Sequence, residues 1–165
     1  MRRKDREMPL SFAYMVADKC EYASLSMVSP EGRPYCVPIT IARDGNSIYF
    51  HSAHQGFKTE CLRNSPEVCL ACVVDTCRAK DKFTTEFESA VITGTASEVI
   101  CRKEKIHALE LICRRHTPDN MSEFDSAISK SLDRTAVWKI EILRITGKRK
   151  KYDSNGEEMK FARME

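Results

Sequence analysis

The 165-residue chain is 42% hydrophobic and 31% charged, a composition that predicts one globular domain with a sizeable buried core and requires no second domain. Its net charge of +3 at pH 7 is modest, and its two basic runs, residues 2–6 and 147–151, lack interleaved aromatic residues, which favours solvated tails over a nucleic-acid surface. The charged N-terminus is not followed by a long apolar run, so we expect no secretory signal and no membrane anchor, and therefore a cytoplasmic protein.

The first predicted element is a helix over residues 11–20, in which Phe12, Met15 and Val16 have the spacing of one helical face. Turn residues then separate three stretches rich in β-forming residues, which we expect to pair as an antiparallel meander. The three predicted strands cover residues 22–28, 34–42 and 47–52.

A short helix is predicted over residues 58–64, followed by a nearly continuous apolar strand at 67–75. Because that strand has few polar positions, we expect it to be buried on both faces at the centre of the sheet. Residues 86–99 form the next predicted strand, in which Gly94 suits a β-bulge or a sharp bend.

Helices are predicted at residues 102–115 and 124–132, and an alternating pattern returns the chain to the sheet at 135–146. Together the elements predict a mainly β fold, a six-stranded antiparallel barrel that is closed or nearly closed and has helical covers. We assign residues 1–147 to this domain and residues 148–165 to a polar C-terminal tail or surface hairpin.

The eight cysteines lie mostly within apolar strand and helix patterns, so we expect small buried side chains that stay reduced rather than a disulfide framework. Cys69 and Cys72 have the CxxC spacing of many metal sites. They fall in a predicted strand, however, where positions three apart point to opposite faces, so no metal site is expected there.

A possible anion site follows the third strand, where Ser52, Gly56 and Lys58 precede or begin a predicted helix. A helix start presents backbone N–H groups and the positive end of the helix dipole, and a hydroxyl and an ammonium group complete a plausible phosphate cradle. The same residue types are also common in ordinary surface loops, so the local pattern leaves both interpretations open.

Three stretches carry a resemblance to a known family: residues 32–58, 64–75 and 82–96. They resemble the FMN-binding split β-barrels of the pyridoxamine 5′-phosphate oxidase-like superfamily, and in particular its nitroimidazole-resistance branch. The resemblance extends roughly over residues 1–147. It implies a split-barrel homodimer that binds FMN, with two cofactor sites shared between the subunits.

The family pattern also implies which residues bind the cofactor. One segment would run beside the flavin ring and ribityl chain, a second would hold the phosphate end, and a third would supply hydroxyl groups. In that order the residues are Val37, Pro38, Ile39 and Thr40; His51, Ser52, Ala53 and Lys58; and Thr84, Thr85 and Ser89.

Other interpretations of some of these residues stay open. His54 competes with His51 for the place near the flavin, and the hydroxyls of the third segment also suit an ordinary strand entry. His107 and His116 are expected to have surface or packing roles, and Trp138 is expected in the core or a dimer interface rather than stacked on the flavin.

The expected function is that of an FMN-dependent oxidoreductase that reduces a small-molecule acceptor, with nitroreductase-like or pyridoxamine-phosphate-oxidase-like chemistry. No catalytic side chain is expected, because the cofactor carries the electrons. True pyridoxamine phosphate oxidation is disfavoured, because residues 150–165 lack the tryptophan- and arginine-containing segment of that enzyme. The alternative is a non-catalytic flavin or haem protein that carries or senses redox equivalents, although the four histidines show no haem-binding spacing.

Overall fold

The computed structural model describes residues 2–161, so Met1 and residues 162–165, the end of the predicted C-terminal tail, lie outside the described residues. The strands are β1 Glu7–Met8, β2 Ala23–Val28, β3 Pro34–Ile39, β4 Ala42–Asp44, β5 Ser47–Ser52, β6 Glu67–Arg78, β7 Thr85–Glu98 and β8 Ala136–Lys150. The α-helices are α1 Leu10–Lys19, α2 Phe57–Asn64, α3 Arg102–His116 and α4 Phe124–Ser131. Short 3₁₀ turns lie at Lys4–Arg6, Pro118–Glu123 and Leu132–Arg134.

The strands form one antiparallel sheet in the order β3-β2-β6-β7-β8-β5-β4, with β1 also paired to β8. The prediction of a mainly β antiparallel fold with helical covers is confirmed. The predicted count of six strands was low, because β1 and β4 have only two and three residues and show no readable alternation. Of the two predicted alternatives, a closed and a nearly closed barrel, the structure excludes the first, since no backbone pairing within residues 2–161 joins β3 to β4.

The predicted meander of the first three strands is wrong beyond its first hairpin. β2 and β3 pair as expected, but β3 ends at Ile39, and β5 pairs with β4 and β8 rather than with β3. The chain leaves the sheet at Thr40 and Ile41 before β4 begins. The cause is the long-range pairing of β5 with β8, which joins residues far apart in sequence and leaves no mark in either strand's local pattern.

Strand β6 lies between β2 and β7, at the centre of the sheet as predicted. It is buried on one face only, which corrects the prediction of burial on both faces: Leu70 and Cys72 are buried, whereas Ala71 and Val73 are exposed. Cys69 is only partly buried, so it and Cys72 do lie on opposite faces. The exposed face is apolar in composition, and this is why the sequence run looked continuously buried.

The predicted bulge at Gly94 is confirmed, since the β7–β8 register shifts between Thr93 and Gly94. A Cβ at Gly94 would collide with the carbonyl oxygen of Glu141 and the side chain of Ile140, so the close approach of the two strands requires glycine. The bend lets the long β7 wrap around the core.

The barrel core is filled by the inward-facing residues of the strands and by one face of α1, where Ala13, Val16 and Ala17 are buried. Trp138 is 2% exposed and stacks with Phe50 at a ring-centroid distance of 6.5 Å, which confirms its place in the core. A second apolar cluster lies between α3 and the strands β4, β5 and β8.

Beyond residue 147, β8 continues to Lys150, and Tyr152 then bridges Glu158 across a turn at Gly156. Glu158 accepts two hydrogen bonds from Arg6, at 2.5 and 2.9 Å, which links this turn to the N-terminal segment. None of the helices within residues 2–161 combines the length and the apolar character needed to cross a membrane.

Candidate functional site

The predicted phosphate cradle lies where β5 ends and α2 begins. The loop between them ends at Gly56, whose φ of +131° is a conformation that side-chain-bearing residues rarely adopt. Phe57, the first residue of α2, packs edge-on against Tyr35 of β3 at 4.9 Å between ring centroids. The start of α2 is therefore fixed against β3, the strand predicted to run beside the flavin.

Lys58 lies in the first turn of α2 and is half-buried. Its Nζ lies 5.5 Å from the centroid of the Phe50 ring, and no carboxylate in the described part of the chain forms an ion pair with it. Burial lowers the pKa of Lys58, because the charged ammonium has lost water without gaining an anion. A partly dehydrated cation without a counter-charge is suited to binding an anionic group.

His51, near the end of β5, lies close to this ammonium group. Partial burial lowers the pKa of His51, and the charges of Lys58 and of His116 lower it further. These effects favour the neutral form of the ring, which can both donate and accept a hydrogen bond. Ser52 follows it, and its hydroxyl donates to the carbonyl oxygen of Ala53 at 2.8 Å.

The β3 segment predicted to bind the cofactor alternates between the two faces of the sheet. Val37 and Ile39 face the core, the former half-buried and the latter buried, whereas Pro38 and Thr40 are exposed. Because Ala42 pairs with Tyr49, the preceding residues 40–41 lie at the level of residues 50–51 of β5. The structure thus brings the first two predicted segments together at one end of the barrel, with Ala53 exposed beside them.

Thr84, Thr85 and Ser89 are not brought to this end of the barrel within one chain. Thr85 is the first residue of β7, and Glu98 is the last. Glu98 pairs with Trp138 of β8, and Trp138 also pairs with Phe50 of β5, so it is the Glu98 end of β7 that lies near the end of β5. A strand of 14 residues spans on the order of 40 Å. Thr84 and Thr85 are therefore separated from Lys58 by most of the length of the sheet.

Ser89 is half-buried and lies instead on an exposed, partly apolar face of the sheet, which we call the outer sheet face. Its strands are β2, β6, β7 and β8, and its large exposed side chains are Tyr22, Val28, Val73, Val91 and Leu143. Two depressions of about 540 and 480 Å³ lie on it, the first lined by residues that include Tyr22 and Val73, the second by residues that include Val28 and Leu143. Charged and polar residues also line the first depression, and large apolar side chains exposed on one face of a sheet are typical of a binding surface.

His116, the last residue of α3, approaches the same end of the barrel as Lys58. Its Nε2 lies 2.8 Å from the carbonyl oxygen of Ile41, in the break between β3 and β4. The sequence predicted only a surface or packing role for this histidine. Its place could not have been found from local signals, because it depends on how α3 folds back on the sheet.

Comparison with known proteins agrees with this architecture. The sequence model of the pyridoxamine 5′-phosphate oxidase family matches residues 18–149, most of the chain. The chain therefore belongs to this family, as its sequence motifs predicted.

Solved structures with the same fold include a protein described as a candidate 5-nitroimidazole antibiotic resistance protein from Bacteroides thetaiotaomicron, with a TM-score of 0.75 and 25% identity over 87% of this chain and 86% of that one. The flavocytochrome Anf3 from Azotobacter vinelandii has a TM-score of 0.74 and 19% identity over 92% of this chain and 70% of its own. An FAD- and haem-binding protein from Mycobacterium smegmatis has a TM-score of 0.72 and 17% identity over 87% and 73% of the two chains.

Among curated sequences, an uncharacterized protein of Rhizobium meliloti (strain 1021) is 34% identical over 86 residues. The match covers 50% of this chain and 52% of the relative, so the chain spans about half the length of the curated relative that it matches.

Proposed function

We propose that the chain binds FMN at the end of the barrel formed by β3, β5 and α2, and that it is a flavin-dependent oxidoreductase acting on a small-molecule acceptor. The observation that carries the proposal is Lys58, a half-buried cation without a carboxylate partner among residues 2–161, in the first turn of a helix. The terminal phosphate of FMN carries nearly two negative charges at neutral pH and would supply the missing counter-charge.

The neighbouring groups suit the same phosphate. Backbone N–H groups in the first turn of α2 have no partner within the helix, and the helix dipole favours an anion there. The Ser52 hydroxyl would exchange its bond to Ala53 for a phosphate oxygen, and the neutral ring of His51 would donate one hydrogen bond. These residues fit a phosphate-bearing flavin.

The remaining part of the cofactor would lie along β3. The exposed side chains of Pro38 and Thr40, and the backbone of Val37 and Ile39, would contact the flavin ring and ribityl chain. When bound, FMN supplies the electron transfer to the acceptor. The residues of the chain would bind and orient it, and Phe50 and Trp138 pack against each other in the core at that end of the barrel.

The proposal includes a homodimer that uses the outer sheet face. That face exposes large apolar side chains among polar ones, and a second copy of the chain would remove the apolar ones from water. Ser89 lies on this face, and Thr84 and Thr85 lie far from Lys58 within one chain. A cofactor site that used all three predicted segments would therefore need two chains, which supports sites shared between the subunits.

The test of the phosphate cradle is the affinity for FMN of Lys58→Ala, measured by quenching of flavin fluorescence. Loss of a charge-assisted hydrogen bond should weaken binding about 10- to 100-fold, and Lys58→Arg should retain part of the affinity. Lys130→Ala, which removes an exposed lysine from the last turn of α4, is the matched control and should bind as the wild type does. Unchanged affinity of Lys58→Ala would refute the cradle.

Turnover is tested separately from binding. An oxidoreductase should show a flavin band that a reductant bleaches, and reoxidation should be faster with some small acceptors, nitro compounds among them, than with others. Reoxidation at one rate whatever the acceptor would support a flavin carrier or redox sensor instead.

Haem is the second candidate, and His51 is the residue that favours it. The other three histidines each have a ring nitrogen in a hydrogen bond, whereas His51 has none among the described residues. The flavocytochrome and the FAD- and haem-binding protein named above bind haem by their descriptions. A Soret band that is lost in His51→Ala would establish haem binding, and a Soret band unaffected by that change would exclude His51 as the ligand.

A further inference from the structure

The break between β3 and β4 is a two-residue stretch of backbone without sheet pairing, in which Thr40 is exposed and Ile41 is buried. Thr40 and Ile41 belong to neither strand, and the side chain of Ile41 is fully buried. Backbone carbonyls in such places need a donor from elsewhere, because an unpaired buried carbonyl is costly. For Ile41 the donor is Nε2 of His116, at 2.8 Å.

The end of α3 is itself fixed in place by the neighbouring residue. Arg115 donates through Nη2 to the carbonyl oxygens of Ala17 and Cys20, at 3.1 and 2.5 Å. These carbonyls belong to the C-terminal end of α1, where helices leave such groups without partners. His116 therefore contacts the β3–β4 break from a helix end that is hydrogen-bonded to the end of α1.

The break lies beside the proposed cofactor site. Residue 41 directly follows Thr40, the last residue of the proposed flavin-binding segment, and the pairing of Ala42 with Tyr49 places the break level with His51. A shift of the Ile41 carbonyl would move Thr40 with it. A cofactor bound through the β3 backbone and Thr40 is sensitive to such a shift, because binding sites need their contacting groups in place beforehand.

We infer that His116 is a positioning residue for the cofactor site: its hydrogen bond to the Ile41 carbonyl holds the end of β3 in the conformation that binds flavin. The inference rests on the proposed FMN site and extends it to a residue of α3. It requires a proton on Nε2 of His116. The charged imidazole satisfies this requirement, and so does the neutral tautomer that carries its proton on Nε2.

The test compares FMN affinity among three replacements of His116. His116→Ala removes the donor and should weaken FMN binding about 10-fold. His116→Gln places an amide N–H near the position of Nε2 and should restore the affinity to within about threefold of the wild type. His116→Asn is equally polar but one bond shorter, and it should behave as His116→Ala does.

His107→Ala is the matched control. His107 lies on the same helix and bonds Asp44 at 2.9 Å on the protein surface, so its loss should leave FMN affinity unchanged. Circular dichroism at the assay temperature checks that each variant is folded. A purely structural role would lower the melting temperature of His116→Ala and His116→Asn without changing the affinity of the folded protein.

One measurement on the protein without cofactor adds an independent check: nitrogen-15 NMR of the imidazole rings should find Nε2 of His116 protonated. An unprotonated Nε2 would overturn the inference. So would wild-type FMN affinity in His116→Asn and His116→Ala. In either case Lys58→Ala would still test the phosphate cradle separately. A wild-type protein that does not bind FMN would overturn both proposals together.

Discussion

Replacing Lys58 by methionine should stabilise the protein without cofactor while weakening its binding of FMN. Methionine keeps a long apolar side chain beside Phe50 and removes the ammonium group, which is half-buried without a carboxylate partner in the described chain. Allowing for the part of the side chain that stays in water, the gain in free energy of unfolding should be on the order of 0.5–1 kcal/mol. For a chain of this size that corresponds to about 1–3 °C in melting temperature.

The stability difference between Lys58→Met and the wild type should depend on pH in one direction. Burial lowers the pKa of Lys58 in the folded state below its usual value of 10.5, so the unfolded chain holds this proton more tightly. The charged Lys58 therefore destabilises the folded chain fully at neutral pH. This destabilisation is relieved as the pH rises through the pKa of Lys58 in the folded state and then through its pKa in the unfolded state. The stability advantage of Lys58→Met should shrink accordingly as the pH rises toward and through 10.5.

Urea unfolding at neutral pH, with and without saturating FMN, measures both effects in one series. Without FMN the variant should have the higher midpoint, and with FMN the order should reverse because the wild type gains more from the ligand. A variant less stable than the wild type without FMN would refute the reasoning, since it would mean that Lys58 makes a stabilising contact of its own in the free protein. Lys130→Met serves as the control for generic removal of a lysine.

Gly94→Ala should lower the free energy of unfolding by about 1–3 kcal/mol in urea titrations, because its Cβ would meet the carbonyl oxygen of Glu141; an unchanged midpoint would contradict the tight bulge. The pKa of His51 is lowered by burial and nearby cations, so stability should fall as the pH drops from about 7 to 5, and His51→Asn should reduce that slope; equal slopes would contradict the placement of His51. Leu143→Glu and Val91→Glu place a charge on the outer sheet face and should convert a dimer to monomers in sedimentation experiments, whereas an unchanged mass would exclude this face as the interface.

Elements with a clear local signature were predicted well from the sequence. The spacing of apolar residues in α1 and α3 correctly predicted both helices. The glycine within an otherwise β-forming run correctly predicted the bulge at Gly94. Each of these features is determined by residues of one secondary-structure element and of the element it pairs with. The family resemblance was confirmed because it rested on three separate stretches rather than on one motif.

Features that depend on distant contacts were missed. The pairing of β5 with β8 is visible in neither strand, and the apolar residues on the outer face of β6 make its sequence look buried on both faces. Lys58 was predicted as an anion ligand, but its isolation from carboxylates appears only in the folded chain. The contact of His116 with Ile41 likewise requires α3 to fold back over the sheet.

The central claim is that the folded chain binds FMN, and the most direct measurement is the visible absorption spectrum of the purified protein during titration with FMN. The account predicts a perturbed flavin spectrum that saturates at one FMN per chain and is bleached by dithionite. A protein that leaves the spectrum of added FMN unchanged would contradict it.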